Sequence, residues 1–255
     1  MLIILSPTKN QNFKTESPTT LKSSPRFQKE AAELVRHIRK LKPSELGKLL
    51  NTNHSLTQLN FDRNVKWNQA DSVKDAKQAI AAFDGEAFRG LNAKTFSENE
   101  FIYAQQHLRI LSGLYGVLRP LDEIQPYRLE VSSKLKNKRG ADLYPYWRRK
   151  ATLCINEDMS SAGESRFLLN LASSEYLKML DLKKFNFPVI SPEFYEYRPE
   201  GFKQVVIYTK KARGMMARFV IVNRINDIDA LQSFNDDGYW FHPELSTPDK
   251  PVFVR

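Results

Sequence analysis

The stretch SENEFIYAQQHLRILSGLYG, residues 97–116, decides the fold class. Ser97 and Glu100 stand three apart, the spacing at which each side chain satisfies a free backbone N–H at a helix start. Phe96 and Phe101 flank them as a hydrophobic staple, which predicts a helix from Glu98 to His107. Leu108–Leu111 then reads as a short buried strand that stops at the polar Ser112-Gly113. A helix feeding an apolar strand with a polar tip is the repeating unit of an α/β protein.

The same alternation extends in both directions. Upstream, Leu2–Leu5 is a continuous apolar strand, followed by a Ser/Thr/Pro/Asn-rich loop from Ser6 to Pro25, a length that suits function or mobility. Phe27–Leu41 reads as a helix with Ala31, Leu34, Val35 and Ile38 on one side. A second helix starts at Pro43-Ser44, and a third, weakly periodic through Leu56, Leu59 and Phe61, runs to Trp67. Residues 79–91 fit strand or helix equally, with a turn at Asp84-Gly85. Downstream, Leu143–Asn156 is a helix with Cys154 on its apolar side, and Phe167–Leu171 is a strand. Val189–Tyr197 and Gln204–Tyr208 read as a strand pair. Lys210–Asn223 is a helix with Ala212, Met215, Met216, Phe219 and Val220 at the spacing of a buried stripe. Short strands are expected at Tyr239–Phe241 and Val252–Val254. The expected architecture is α/β, a mixed β-sheet flanked by helices in one compact domain over residues 1–255.

Composition narrows the function. Of 255 residues, 41% are hydrophobic and 27% charged, a globular balance. No apolar run spans a bilayer, and the first residues lack a signal peptide's basic start. The single cysteine, Cys154, excludes an internal disulfide and suits a reducing, cytoplasmic setting. Thirty-nine Lys and Arg against 29 Asp and Glu give a net charge of +10. The charge is blocked. Residues 132–150 hold seven basic side chains and one acid, 209–224 hold five and none, and 227–249 hold six acids and no Lys or Arg. Such blocks favour a basic face and a phosphate-bearing partner.

Ligands of open α/β sheets gather beyond the carboxyl ends of the strands. Four polar tips qualify here: Ser6–Lys9, Ser112–Gly116, Asn170–Tyr176 and Tyr208–Arg213. Folded side by side, they form a basic cleft lined by Lys9, Arg119, Arg128, Lys210, Lys211 and Arg213. In this reading Lys210, Lys211 and Arg213 fill the first turn of a helix, where the dipole disfavours each exposed cation by roughly 0.3–1 kcal/mol. A bound anion relieves that cost. Gly113-Leu114-Tyr115-Gly116 has the form of a G-x-x-G turn that presents N–H groups to phosphate, with Tyr115 and Tyr127 as stacking or core aromatics. Lys134, Lys136, Lys138 and Arg139 read as a solvated loop or as a phosphate-tracking rim, and Arg148 and Arg149 as solvent-facing. As an alternative, Lys9, Ser6, Ser112, Tyr127 and Glu175 are candidate catalytic groups of an enzyme acting on a nucleobase, nucleotide or damaged DNA base. No dinucleotide fingerprint, phosphate-binding loop or nucleophile elbow occurs, and His37, His54, His107 and His242 lack ligand spacing. No cofactor or metal is expected.

The segments LIILSPTK, AQQHLRILSGLYGVLRPLDEIQPYRLE, LNLASSEY and YTKKARGMMARF resemble the YaaA family of peroxide stress resistance proteins over essentially the whole chain. The resemblance implies a cytosolic bacterial protein that supports survival of hydrogen peroxide and limits free iron. It further implies DNA binding through a positive cleft in an unusual α/β fold with a helix-hairpin-helix-like element. Lys9, Arg119, Arg128, Lys210, Lys211 and Arg213 fall within the matching motifs. Lys136, Lys138 and Arg139 fall outside them and rest on charge alone. The expected function is therefore binding of duplex or locally opened DNA with little sequence preference, with any effect on iron indirect.

Overall fold

The computed structural model describes residues 1–69, 75–160 and 166–255. Strand β1 (Leu2–Leu5) is apolar throughout and buried along its whole length. After the long loop, α1 (Gln28–Ile38) buries Ala31, Leu34, Val35 and Ile38, the stripe read from its periodicity. Helix α2 (Pro43–Leu50) ends at Asn51, which takes a left-handed conformation with φ 47°. Asn53 caps α3 (His54–Lys66) by accepting from the Leu56 N–H at 3.0 Å.

The apolar pattern of α3 does not face the core. Leu56 and Leu59 are 40% and 44% exposed, while Thr57, Asn60 and Asn64 are buried. Polar attachments set this rotation. Thr57 Oγ1 donates to the Asn53 carbonyl, and the Arg39 guanidinium gathers the carbonyls of Asn64, Val65 and Trp67 at the helix end.

Residues 79–91, ambiguous in sequence, follow β2 (Lys77–Gln78) as two short helices, α4 (Ala79–Ala82) and α5 (Glu86–Leu91), separated at Asp84-Gly85. Helix α6 (Glu98–His107) carries the expected capping box. The Ser97 N–H donates to Glu100 Oε2 at 2.5 Å, the Glu100 N–H donates to Ser97 Oγ at 3.3 Å, and the Phe96 and Phe101 rings meet at 5.6 Å. It leads into β3 (Leu108–Ser112), β4 (Gly116–Leu118) and β5 (Glu123–Ile124), then α7 (Tyr144–Ser160), β6 (Leu168–Leu171), α8 (Ser174–Leu177) and β7 (Val189–Ile190).

The main sheet has the order β4-β3-β1-β6-β7. Strand β1 runs parallel to β3 and β6, β6 parallel to β7, and β4 returns antiparallel to β3. Pairing of Leu5 with both Ile110 and Leu171 brings the three central strands to one edge together, so their carboxyl-end tips are neighbours. The mixed α/β architecture expected from the sequence is borne out.

The strand pair expected at Val189–Tyr197 and Gln204–Tyr208 is corrected. Strand β8 (Glu193–Arg198) pairs antiparallel with β9 (Gly201–Lys203) and parallel with β11 (Val252–Val254), which also pairs with β10 (Trp240–Phe241). Residues 206–208 belong to α9 (Val206–Asn223), which starts four residues earlier than expected. The β-branched run Val205-Val206-Ile207 reads as strand, but Val206 and Ile207 are 69% and 53% exposed and find no sheet. Lys210, Lys211 and Arg213 therefore lie beyond the first turn of α9, and the dipole argument for an anion at the helix start does not apply to them.

Helices α5 and α9 approach backbone to backbone. A Cβ on Gly90 would lie 2.2 Å from the Lys211 carbonyl oxygen, and one on Gly214 would lie 1.8 Å from that of Ala87. Only glycine permits this crossing, which ties α9 directly to α5. Among the described residues, no helix is long and apolar enough to cross a membrane.

Candidate functional site

A cleft of about 460 Å³ opens at the carboxyl ends of β1 and β6. Its walls are residues 6–11 after β1, the Asp84–Arg89 turn and helix, Tyr127–Glu130, the β6 tip through Tyr176, and Lys210 and Arg213 of α9. Parallel pairing of β1 with β6 places Ser6 beside Ser173. The Ser173 N–H donates to Ser6 Oγ at 2.8 Å, and Ser6 Oγ donates to Ser173 Oγ at 3.2 Å.

Three of the four tips thus share one concavity, and the Ser112–Gly116 tip lies outside its lining. Ser112 is fully buried and accepts the N–H groups of Leu114 and Tyr115, while its hydroxyl meets the Tyr127 hydroxyl at 2.7 Å. The Gly113–Gly116 turn closes a hairpin inside the protein. The Trp147 indole donates to the Gly113 carbonyl at 2.8 Å, and Gly116 has φ +69° against the Trp147 ring. Its N–H groups are therefore not presented to a phosphate. Tyr115 and Tyr127 are 1% and 5% exposed, and their rings meet edge to face at 5.3 Å. They are core aromatics, and burial raises the phenol of Tyr115 to about 12 and raises that of Tyr127 further.

Of the alternative catalytic set, Lys9, Ser6, Tyr127 and Glu175 line the cleft, and Ser112 lies beneath Tyr127. Glu175 accepts from the Ser132 hydroxyl at 2.6 Å. The Lys9 ammonium is 3.3 Å from Glu130.

The six cations assigned to the cleft divide. Lys9, Arg128, Lys210 and Arg213 line it. Arg119 does not. Its guanidinium bonds to the fully buried Asp122 at 2.9 Å and to the Ser24 carbonyl, pinning the long loop to the centre of the fold. Lys211 turns to Asp237 at 3.1 Å. The lining also contains Arg89 and the acids Asp84, Glu86, Glu130 and Glu175, so five cations face four carboxylates. Arg128 and Lys9 both reach Glu130 at 3.3 Å, and Arg89 is held by Glu86 at 2.6 Å and Asp84 at 3.5 Å. The expected strongly basic groove is a nearly charge-balanced cleft. Most of these pairs are local, Arg128 with Glu130 and Arg89 with Asp84 and Glu86, and the fold adds the long-range pair of Lys9 with Glu130.

Unpaired positive charge accumulates elsewhere. Lys136, Lys138 and Arg139 precede α7, away from the cleft lining, and are exposed. Arg139 and Arg149 border one shallow groove with Pro145 and Lys150. Arg149 and Pro145 also border a second groove with Arg148, Lys178 and Lys184. On the other side, Lys138 meets Arg36, Arg39 and Lys40 at the end of α1. The result is a basic belt running from α1 across the start of α7 to the segment after α8. Among the described residues, Arg36, Lys40, Lys136, Lys138, Arg139, Arg148, Arg149, Lys178 and Lys184 have no carboxylate within ion-pair distance. Asp142, Asp181 and Glu33 border the same grooves, and Glu33 accepts from the Tyr146 hydroxyl. Arg36, Lys40, Lys178 and Lys184 were missed by sequence reasoning because each is an ordinary surface cation in its own segment.

No cluster of His, Cys, Asp or Glu suited to a metal ion occurs among the described residues. His107 Nδ1–H donates to the Met1 carbonyl at 3.0 Å, and its ring stacks on Tyr103. Cys154 lies buried beside Arg26, and desolvation pushes its thiol up to about 11.

Comparison with known proteins agrees over the whole chain. A family model described as "Peroxide stress protein YaaA" matches residues 1–245. A UPF0246 protein of Burkholderia pseudomallei is 40% identical over 256 residues, covering 100% of this chain and 98% of its own. A UPF0246 protein of Burkholderia orbicola is 41% identical, and one of Burkholderia mallei 40%, each with the same coverage. With a match of this extent, the chain belongs to the peroxide stress protein YaaA family.

Proposed function

We propose that this protein binds DNA through the basic belt, with little sequence preference, as its part in the peroxide stress response. The observation that carries the reading is the set of exposed cations from Arg36 to Lys184 that lack carboxylate partners among the described residues, bordering two grooves that share Pro145 and Arg149 and a third reached through the adjacent residues Lys138 and Arg139. A cation already held by a carboxylate gains little from a phosphate. A free one releases the counterion condensed on the nucleic acid. Lys136, Lys138 and Arg139, together with Arg148 and Arg149, are the contacts proposed for the phosphate backbone. In this reading shape and backbone dominate over base-edge contacts. The α2–α3 pair, joined through Asn51–Asn53 next to the Arg39 end of the belt, is proposed as the counterpart of the helix-hairpin-helix-like element. In this reading the protein occupies DNA in the cytoplasm and shields it where iron-dependent damage falls.

The test is fluorescence anisotropy on a labelled duplex of mixed sequence between 50 and 300 mM salt. Contact with about six phosphates gives a log–log slope near −5. Combined Lys138→Glu, Arg139→Glu and Arg149→Glu changes should lower the slope's magnitude by about three and weaken every sequence alike. Absence of binding at low salt, or a slope unchanged in the triple variant, refutes the proposal.

A further inference from the structure

Arg213 is out of keeping with the other cations of the cleft. It is the cleft arginine with neither an ion pair nor a hydrogen bond, and its Nε is buried without a partner. Burial lowers its pKa, and Glu193, the acid acting on it at longer range, is itself engaged by the Tyr195 hydroxyl at 2.7 Å. Arg213 is only half-buried, but its sealed Nε is left unsatisfied, which is costly, so such a group calls for an ion or ligand on its cleft side. Lys210 lies one turn earlier on the same helix, lines the same cleft and also has no partner. Lys9, Arg128 and Arg89 are taken up by carboxylates. Two free cations, both supplied by α9, therefore line an open cleft whose volume lies in the range of small-molecule sites.

We propose that the cleft is a binding pocket for a small phosphate monoester, separate from the DNA-binding belt and independent of it. A phosphate monoester carries about −1.5 to −2 at pH 7, which matches Lys210 and Arg213 together, whereas a carboxylate would be neutralised by one of them. The guanidinium and ammonium take the phosphoryl oxygens by charge-assisted hydrogen bonds. The cleft lining also carries Ser6 and the carboxylates Glu130 and Glu175, while its other two acids, Asp84 and Glu86, are held by Arg89. Those carboxylates repel a second negative group and accept hydroxyls. The ligand is thus a monophosphate on a neutral, hydroxyl-bearing body, the chemistry shared by a sugar phosphate and a nucleoside monophosphate.

The experiment is calorimetric titration and thermal melting of the full chain, without DNA, using ribose 5-phosphate, adenosine 5′-monophosphate, ribose, adenosine and inorganic phosphate. One of the two monoesters should bind and raise the melting temperature, and its dephosphorylated counterpart should bind at least 100-fold more weakly. Ribose 5-phosphate alone identifies a sugar-phosphate pocket, and the nucleotide alone a pocket that also holds a base. Lys210→Met should weaken binding about 10-fold and Arg213→Met about 100-fold. Arg213→Met should also leave the ligand-free melting temperature unchanged or raised, because it removes a half-buried charge that has no partner and a sealed, unsatisfied Nε. A purely structural arginine gives the opposite result. Failure of both monoesters to bind at millimolar concentration, binding by inorganic phosphate alone, or undiminished binding by Arg213→Met would overturn the proposal. None of these outcomes depends on whether the belt binds DNA.

Discussion

Replacing Gly214 by alanine tests the claim that α5 and α9 are locked by backbone contact. The added Cβ would lie 1.8 Å from the Ala87 carbonyl oxygen, where real Cβ atoms keep at least 3.0 Å. The opposing atom belongs to a helix backbone and cannot rotate away, so the two helices must part by about 1 Å. A gap of that size forfeits about a quarter to a half of the dispersion well for each contact across it. Overpacking of this kind costs about 1–3 kcal/mol, and a rigid neighbour puts Gly214 at the upper end. Alanine returns about 1 kcal/mol of helix propensity. The net loss is about 2 kcal/mol, which lowers the melting temperature by roughly 4–8 °C for a chain of this size. Calorimetry on purified protein measures it. Gly47→Ala is the comparison, since its Cβ meets the Thr57 side chain at 2.8 Å and no backbone atom, and the same propensity gain offsets the loss of the Thr57 bond to the Asn53 carbonyl. Its melting temperature should move by less than about 2 °C. A Gly214→Ala protein as stable as the parent would refute the locked crossing.

Two further tests address the polar interior. Asp158 holds the buried Arg109 at 2.6 Å and Arg26 at 2.8 Å. Asp158→Asn leaves Arg109 uncompensated and should cost about 3–5 kcal/mol in denaturant unfolding. Desolvation opposes ionisation of Asp158, but hydrogen bonds from Arg109 and Arg26 outweigh it and hold the carboxyl below its ordinary value of 3.8. Its contribution is therefore complete above the unfolded-state pKa and is lost as pH falls through the lower folded value, and the Asn variant should show a flatter acid limb. Cys154, with its thiol raised to about 11, should react with a disulfide reagent at pH 8 only after denaturant is added. Rapid labelling of the native protein would contradict its burial.

Local signals were legible in the sequence where they close over a few residues. The Ser97–Glu100 box, the α1 stripe and the LRIL strand are complete within one turn or one run, and all three stand in the structure. The start of α9 was not legible because Val205–Ile207 carries a strand signature, while the partners that β8 uses, β9 and β11, are set by tertiary pairing. The cleft was legible in part. Polar tips after β1 and β6 announce it, but the pairing of Lys9 with Glu130, and of Lys211 with Asp237, follows from packing. Charge blocks located the basic chemistry without showing which cations remain free. The belt is assembled from α1, the 136–139 loop, α7 and the residues after α8, and no single segment displays it.

The central place of β1 bears on how the molecule is made. Leu2–Leu5 leaves the ribosome about a hundred residues ahead of β3 and still further ahead of β6, the strands it lies between. At roughly 5–20 residues per second, this greasy ribbon waits about 5–20 s with both edges open. During that interval the nascent chain offers other polypeptides a template for pairing.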